Sequence, residues 1–251
     1  MINNLVKYIS VIFILAALAL VTLSSSFYIY EKRAEISHKI GLTDKEGTQP
    51  TDDYWAREIL NGGYILHFRH AERDKWIDVQ MYDALESDVH TNGIDGSRYA
   101  ENDYFSQAVC LNERGKIQAR AMGEHIQHIG LPISHVVSTV SCRGRQTADL
   151  AFGGYDSQHR LLVHAGPYNE VYSDRINILK EFYGSLPVTS NSNVIVSAHN
   201  GVVKKEMFEN SVSDLDIEEG GFYIISQRNG KLYLEYEFHN FMLFMRVFYE
   251  R

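Results

Sequence analysis

The apolar residues of this chain fall into three regimes. From Leu5 to Leu23 they form an almost unbroken run, interrupted only by Lys7, Ser10 and Thr22, and the apolar character resumes at Phe27–Tyr30. About twenty such residues in a helix span a bilayer core, so residues 1–30 read as a membrane anchor or signal segment. An uncleaved anchor is the first expectation. A cleaved signal is the second, because Ser24–Ser25–Ser26 offers small residues to a signal peptidase. No cysteine follows the run, which excludes a lipid-modified amino terminus. Residues 31–53 are polar, with Gly41, Gly47 and Pro50 among charges, and read as a linker. From residue 54 to the end, helical and strand periods alternate.

Within that third regime Tyr64–Phe68 is a short apolar strand after Gly62–Gly63. Glu113–Ile129 has apolar residues at Ile117, Ala121, Ile126 and Ile129 with charges between them, a helical spacing that Gly130 and Pro132 end. His135–Val140 is the next strand and Arg143–Phe152 the next helix, stopped by Gly153–Gly154. Leu161–His164 reads as a weaker strand. Tyr172–Leu186 reads as a helix burying Ile176, Leu179, Phe182 and Tyr183, and Val194–Ala198 as a strongly apolar strand. Phe222–Ser226 and Leu232–Phe238 flank Asn229–Gly230, the dipeptide favoured in two-residue hairpin turns. The alternation predicts one α/β domain over residues 54–251: a three-layer sandwich with a mostly parallel central sheet, helices on both faces and a terminal β-hairpin. Residues 74–110 are polar and without period, and are expected to be an insertion over one end of the sheet, where loops of that length are usually functional.

Composition narrows the partners. A net charge of −8 with no Lys/Arg block excludes nucleic acid, whose binding rests on clustered cations. The two cysteines, Cys110 and Cys142, form no Cys-x-x-Cys pair, so neither a zinc ribbon nor a thioredoxin-like motif is present. Two free thiols are the expectation, with a single disulfide as the alternative in an exported domain.

The reactive side chains follow the strands. Arg69–His70 follows Tyr64–Phe68, Arg143 and Arg145 follow His135–Val140, His199 follows Val194–Ala198, and Glu170 comes after Leu161–His164. In parallel α/β sheets the loops at the carboxyl ends of strands converge on one crevice. Histidines and guanidiniums meeting there suit a phosphoryl group. They suit a divalent metal badly, because no carboxylate or thiolate accompanies the histidines at ligand spacing, so neither metal nor cofactor is expected. Arg145 reads as a structural or solvated helix residue, and His67 as a satisfied core histidine.

These segments resemble, in order, the motifs of the histidine phosphatase superfamily, also called phosphoglycerate-mutase-like. Phe68–Arg69–His70–Ala71–Glu72 resembles its Arg-His motif; Leu111–Asn112–Glu113–Arg114–Gly115 with Gln118–Ala119 resembles its L-T-x-x-G-x-x-Q-A helix start. Ser138–Thr139–Val140–Ser141–Cys142–Arg143 with Gln146–Thr147–Ala148 resembles S-x-x-x-x-R-x-x-Q-T-A, and Val194–His199 its second-histidine strand. The resemblance covers roughly residues 60–240. It implies a phosphomonoester hydrolase in which His70 is the nucleophile, forming a phosphohistidine, while Arg69, Arg143 and His199 hold the phosphoryl oxygens. The proton donor is implied to be a mid-chain glutamate, Glu170, with Glu72 as fallback, since Asn200 stands where one branch has an aspartate. The amino-terminal segment, Asn169–Glu170–Val171–Tyr172–Ser173 and the Gly230–Lys231–Leu232 hairpin are further similar to the Ais-like bacterial lipopolysaccharide core heptose phosphate phosphatases, from which the 74–110 insertion and Gly201 depart. That resemblance implies a phosphorylated sugar or glycolipid as substrate and an exported, periplasmic side. It outweighs the charge count, in which Lys7 alone precedes the run while Lys32, Arg33 and Lys39 follow it. The rival readings are a catalytically silent phosphate-binding or scaffold domain and a phosphoglycerate-mutase-type phosphotransferase.

Overall fold

A computed structural model describes residues 51–74, 109–163, 172–210 and 215–249. Residues 1–30, nearly all of the 31–53 linker, most of the 74–110 insertion and Glu170 lie outside the described residues. No helix among the described residues is long and apolar enough to cross a membrane.

Two short apolar runs build the centre of the fold. β1 (Ile65–Arg69) and β4 (Asn193–Ala198) pair in parallel, Ile65 with Val194 through Arg69 with Ala198. Both are covered on two faces, which is why they read as continuous rather than alternating apolar segments. β2 (Ile133–Thr139) pairs in parallel with β4, and β3 (Ser157–His159) with β2. On the other side of β1 the antiparallel hairpin β5 (Phe222–Arg228) and β6 (Lys231–Phe238) completes the order β3-β2-β4-β1-β5-β6. Asn229 and Gly230 both take positive φ, 52° and 72°, as the two-residue turn requires.

Alternate residues of each strand face two separate cores. Leu66, Phe68, Ile195, Phe222 and Ile224 lie on one face, under α1 (Asp52–Glu58), α2 (Glu113–Ile129), α3 (Cys142–Phe152) and α5 (Phe241–Tyr249). Ile65, Val194, Val196, Tyr223 and Ile225 face the opposite side, under α4 (Tyr172–Gly184) through Ile176, Leu179 and Tyr183. The fold is therefore α/β in three layers. Because β2, β4 and β1 are neighbours running the same way, their carboxyl ends deliver their following loops to one edge.

Five local expectations are corrected. Leu161–His164 forms no strand through Leu162: residues Arg160–Leu162 are a 3₁₀ turn, and the strand is the polar Ser157–His159 before it. An edge strand needs no apolar run, so β3 left no hydrophobic signal. On α2 the buried face is Gly115, Ala119, Met122 and Ile126, whereas Ile117 is 65% exposed. Asp52 and Asp53, assigned to the linker, make the first turn of α1. The hairpin is followed by a further element, α5, whose Phe241, Phe244 and Met245 are buried in the first core. Finally, Cys110 and Cys142 are not free thiols but a disulfide, with Cα atoms 4.9 Å apart across 32 residues. Only the fold brings them together, so no spacing rule could show the pairing.

Candidate active site

At the end of β1 the strand ladder runs on into the loop. The His70 amide donates to the Ala198 carbonyl at 2.9 Å, and the Arg69 amide to Gly221 at 3.0 Å. The Gly220 amide reaches both the Arg69 and His70 carbonyls, each at 3.2 Å. His70 is thus held from two sides before its ring makes any contact.

The ring itself, 4% exposed, is fixed by two bonds. The Ala71 carbonyl lies 2.7 Å from Nδ1, and a carbonyl only accepts, so Nδ1 carries the proton. Arg143 Nε donates to Nε2 at 3.2 Å, which requires a lone pair there. Together they select the neutral tautomer with an unprotonated Nε2. Burial holds the His70 pKa well below its ordinary 6.5, the Arg143 charge adds to this, and Arg69 and Arg73 contribute further, against the opposing Ala71 carbonyl. A buried imidazole among guanidiniums is kept neutral, which is the form able to attack phosphorus.

The loop beyond His70 is braced by residues of the other motifs. The Ala71 amide donates to Thr147 Oγ1 at 2.9 Å, and that hydroxyl donates to the Arg143 carbonyl at 2.8 Å. The Glu72 amide donates to Gln118 Oε1 at 2.9 Å, and Gln146 Oε1 accepts from the Leu111 amide at 2.8 Å. Gln118, Gln146 and Thr147 therefore brace backbone. Gly115 has the same purpose: a Cβ there would lie 1.9 Å from the Glu72 carbonyl oxygen. Asn112 caps α2 by accepting from the Gly115 amide at 2.7 Å, which locks the helix end against this loop. The close approach also explains the α2 face, since burying Gly115 turns Ile117 outward.

Arg143 is fully buried and its Nη1 donates to the Val109 carbonyl at 3.4 Å. His199, 2% exposed, stands edge-on to His70, ring centroids 5.2 Å apart at 70°. Its carbonyl lies 3.0 Å from His67 Nε2, so that nitrogen is the donor, and Nδ1 accepts the Tyr183 hydroxyl at 2.6 Å. Burial lowers the His67 pKa to about 4, the bond to the His199 carbonyl opposing it. His67 is a satisfied core histidine, as its position in a buried strand implied, but one whose bond ends on the second site histidine. Arg69 is half-buried and donates from Nη1 to the Ile217 carbonyl at 2.6 Å. Arg145 is 4% exposed rather than on a solvated face.

The structure thus brings His70, Arg143 and His199 together, with Arg69 near enough to depress His70. Glu170 lies outside the described residues. The fallback Glu72 accepts on Oε1 from Asn112 Nδ2 at 3.2 Å and Arg114 Nε at 2.7 Å, which leaves that oxygen no proton to give. Asn200 Oδ1 accepts from Tyr223 at 2.9 Å and the Ile217 amide at 3.2 Å, which fills both its lone pairs, and Nδ2 donates to Asp216 at 2.8 Å. A cleft of about 610 Å³ opens beside the loop after His70, lined by Glu72, Arg73, Asp74, Arg114, Gln118, Glu218 and Glu219. His70, Arg143 and His199 do not line it.

No protein-family model matches the chain, and no curated protein matches it. Solved structures similar to it include the protein histidine phosphatase SixA complexed with tungstate. That structure is 13% identical, over 69% of this chain and 95% of the other, with a TM-score of 0.44. Another is a phosphoserine phosphatase from Entamoeba histolytica in complex with 3-phosphoglyceric acid, 11% identical over 69% and 95% of the two chains, with a TM-score of 0.43. Likeness at that level carries no argument about activity. The sheet edge gathers Arg69–His70, Arg143 and His199, which the sequence placed at the ends of three different strands.

Proposed function

We propose that this chain is a phosphomonoester hydrolase that works through a phosphohistidine on His70. One observation carries the reading: the Nδ1–H···O=C bond to Ala71 and the Arg143 contact leave Nε2 of a buried, neutral His70 with its lone pair facing a guanidinium. When a phosphoryl group enters, the Arg143 N–H turns to a phosphoryl oxygen and releases that lone pair. Nε2 then attacks phosphorus, the P–O bond to the leaving group breaks, and the positive charge developing on the ring is stabilised by the Ala71 carbonyl. Arg143, Arg69 and His199 neutralise the equatorial oxygens. The proton for the leaving oxygen comes from Glu170 in this reading, and the same carboxylate later activates the water that cleaves the N–P bond.

The substrate class we favour is a phosphorylated sugar or the lipopolysaccharide core, met on the exported side of a membrane to which residues 1–30 anchor the domain. The Cys110–Cys142 disulfide supports export, because such bonds persist in oxidising compartments. The full chain, solubilised in detergent, should hydrolyse an aryl phosphate and yield an acid-labile phosphoenzyme with labelled substrate. His70→Ala should abolish both, and turnover retained in that variant would remove His70 as nucleophile. A reporter fused after Asn61 should be active on the exported side only; activity on the cytoplasmic side would overturn the orientation.

A further inference from the structure

Cys110 and Cys142 take no part in the proposed reaction, yet each is next in sequence to a group that shapes it. Cys142 is the first residue of α3 and immediately precedes Arg143. Cys110 immediately follows Val109, whose carbonyl accepts from Arg143 Nη1. We infer that the Cys110–Cys142 disulfide is a positioning element of the phosphate pocket, holding the Val109 carbonyl against Arg143 and thereby setting the plane of the guanidinium that meets His70. The inference rests on the phosphatase reading and adds to it that oxyanion affinity depends on an intact disulfide.

A guanidinium is a rigid planar fork, so fixing two of its N–H directions fixes the rest. In Arg143 those two are Nε, directed to His70 at 3.2 Å, and Nη1, directed to Val109 at 3.4 Å. Val109 is helical and the chain leaves the helix at Cys110, so the Val109 carbonyl is among those that no intrahelical amide takes and that no strand ladder holds. Leu111 is tied to α3 through its amide and Gln146, and packs against Ala71 and Ala119. That anchors the residue after Cys110, not the carbonyl before it. The covalent link joins Cys110, the residue after that carbonyl, to the first residue of α3, the residue before Arg143. Val109 and Cys142 are fully buried and Cys110 is 4% exposed, so the arrangement is packed rather than hanging from the surface.

The bland alternative is that the disulfide only stabilises the chain by closing a loop. Binding and melting separate the two. The full chain is reduced with a water-soluble phosphine: the phosphorus becomes a phosphine oxide with oxygen from water, and both sulfurs end as thiols. Reduced protein and the Cys110→Ala/Cys142→Ala variant are compared with the oxidised chain for inhibition by inorganic phosphate and for the pH profile of kcat/KM on an aryl phosphate. The inhibition constant should rise about ten-fold, the scale of one misplaced charge-assisted hydrogen bond. The acid limb of the profile should also move to higher pH. Among the described residues the charged and titratable groups facing His70 are Arg143 from α3, Arg69 from β1, Arg73 from the following loop and His199 after β4, and of these Arg143 is the one next to the disulfide.

A lower melting temperature with unchanged phosphate inhibition and an unchanged acid limb would overturn the inference and leave the phosphatase reading standing. An oxidised wild type that neither hydrolyses the ester nor is inhibited by phosphate would overturn both. Should the double alanine variant not fold, reduced wild type assayed below its own melting temperature gives the same comparison. In an Arg143→Lys background, loss of the disulfide should change phosphate inhibition less than about two-fold, because lysine has no fork to orient. An undiminished ten-fold effect there would show that the disulfide acts through some other group.

Discussion

Replacing His67 by glutamine removes a titrating group while keeping a donor for the His199 carbonyl and an acceptor for the Tyr183 hydroxyl. In the folded protein burial lowers the His67 pKa from 6.5 to about 4. In the unfolded chain the ring is solvated and titrates near its ordinary value. As pH falls through this window the unfolded state takes up a proton that the folded state refuses. His67 therefore contributes stability that is present above pH 6.5 and lost as pH falls towards 4. A gap of about 2.5 pH units corresponds to about 3 kcal/mol over the whole window, roughly 2 kcal/mol of it between pH 7 and pH 4.5. The measurement is urea unfolding of wild type and His67→Gln at both pH values, followed by fluorescence. His70 is depressed in the same direction, but it is common to both proteins and cancels in the difference. Wild type should lose about 2 kcal/mol more than the variant on going to pH 4.5. A stability difference between the two proteins that is the same at both pH values would refute the reasoning, and with it the neutral His67 on which the His199 contact is argued.

Gly115→Ala places a Cβ 1.9 Å from the Glu72 carbonyl, so the helix end or the loop must move. It should cost about 1–3 kcal/mol in a melting experiment, the usual range for overpacking, and lower kcat with it. Thr147→Val keeps the shape but leaves the Ala71 amide without its 2.9 Å acceptor; about 1–3 kcal/mol should be lost, and a variant with wild-type kcat would show that this brace does not position His70. Glu170→Ala should slow esters with poor leaving groups far more than activated ones, and equal losses in steady-state assays would remove Glu170 as the acid.

Much of the site was legible because its signals are local. A buried parallel strand must be apolar on both faces, so Tyr64–Phe68 and Val194–Ala198 announced themselves, and the reactive residues just past them were marked by position alone. The turn at Asn229–Gly230 was equally plain, since few residues accept positive φ twice in succession. The polar edge strand Ser157–His159 was not, because an edge imposes no hydrophobic period. Nor was the exposed Ile117, whose spacing is helical but whose direction is set by the contact of Gly115 with Glu72.

The residue order by itself determined the alternation of strands and helices, the apolar amino-terminal run, and the types of side chain available at each strand end. The tertiary structure decided which of them meet and in what state. It gave His70 its tautomer through the Ala71 carbonyl and Arg143, and linked His67 to the His199 backbone across 132 residues. It also closed Cys110 onto Cys142 and committed one carboxylate oxygen of Glu72 to Asn112 and Arg114. The physical reason is that periodicity and propensity act over a few residues, whereas protonation state, hydrogen-bond commitment and disulfide pairing depend on distances of a few ångströms between segments far apart in the chain.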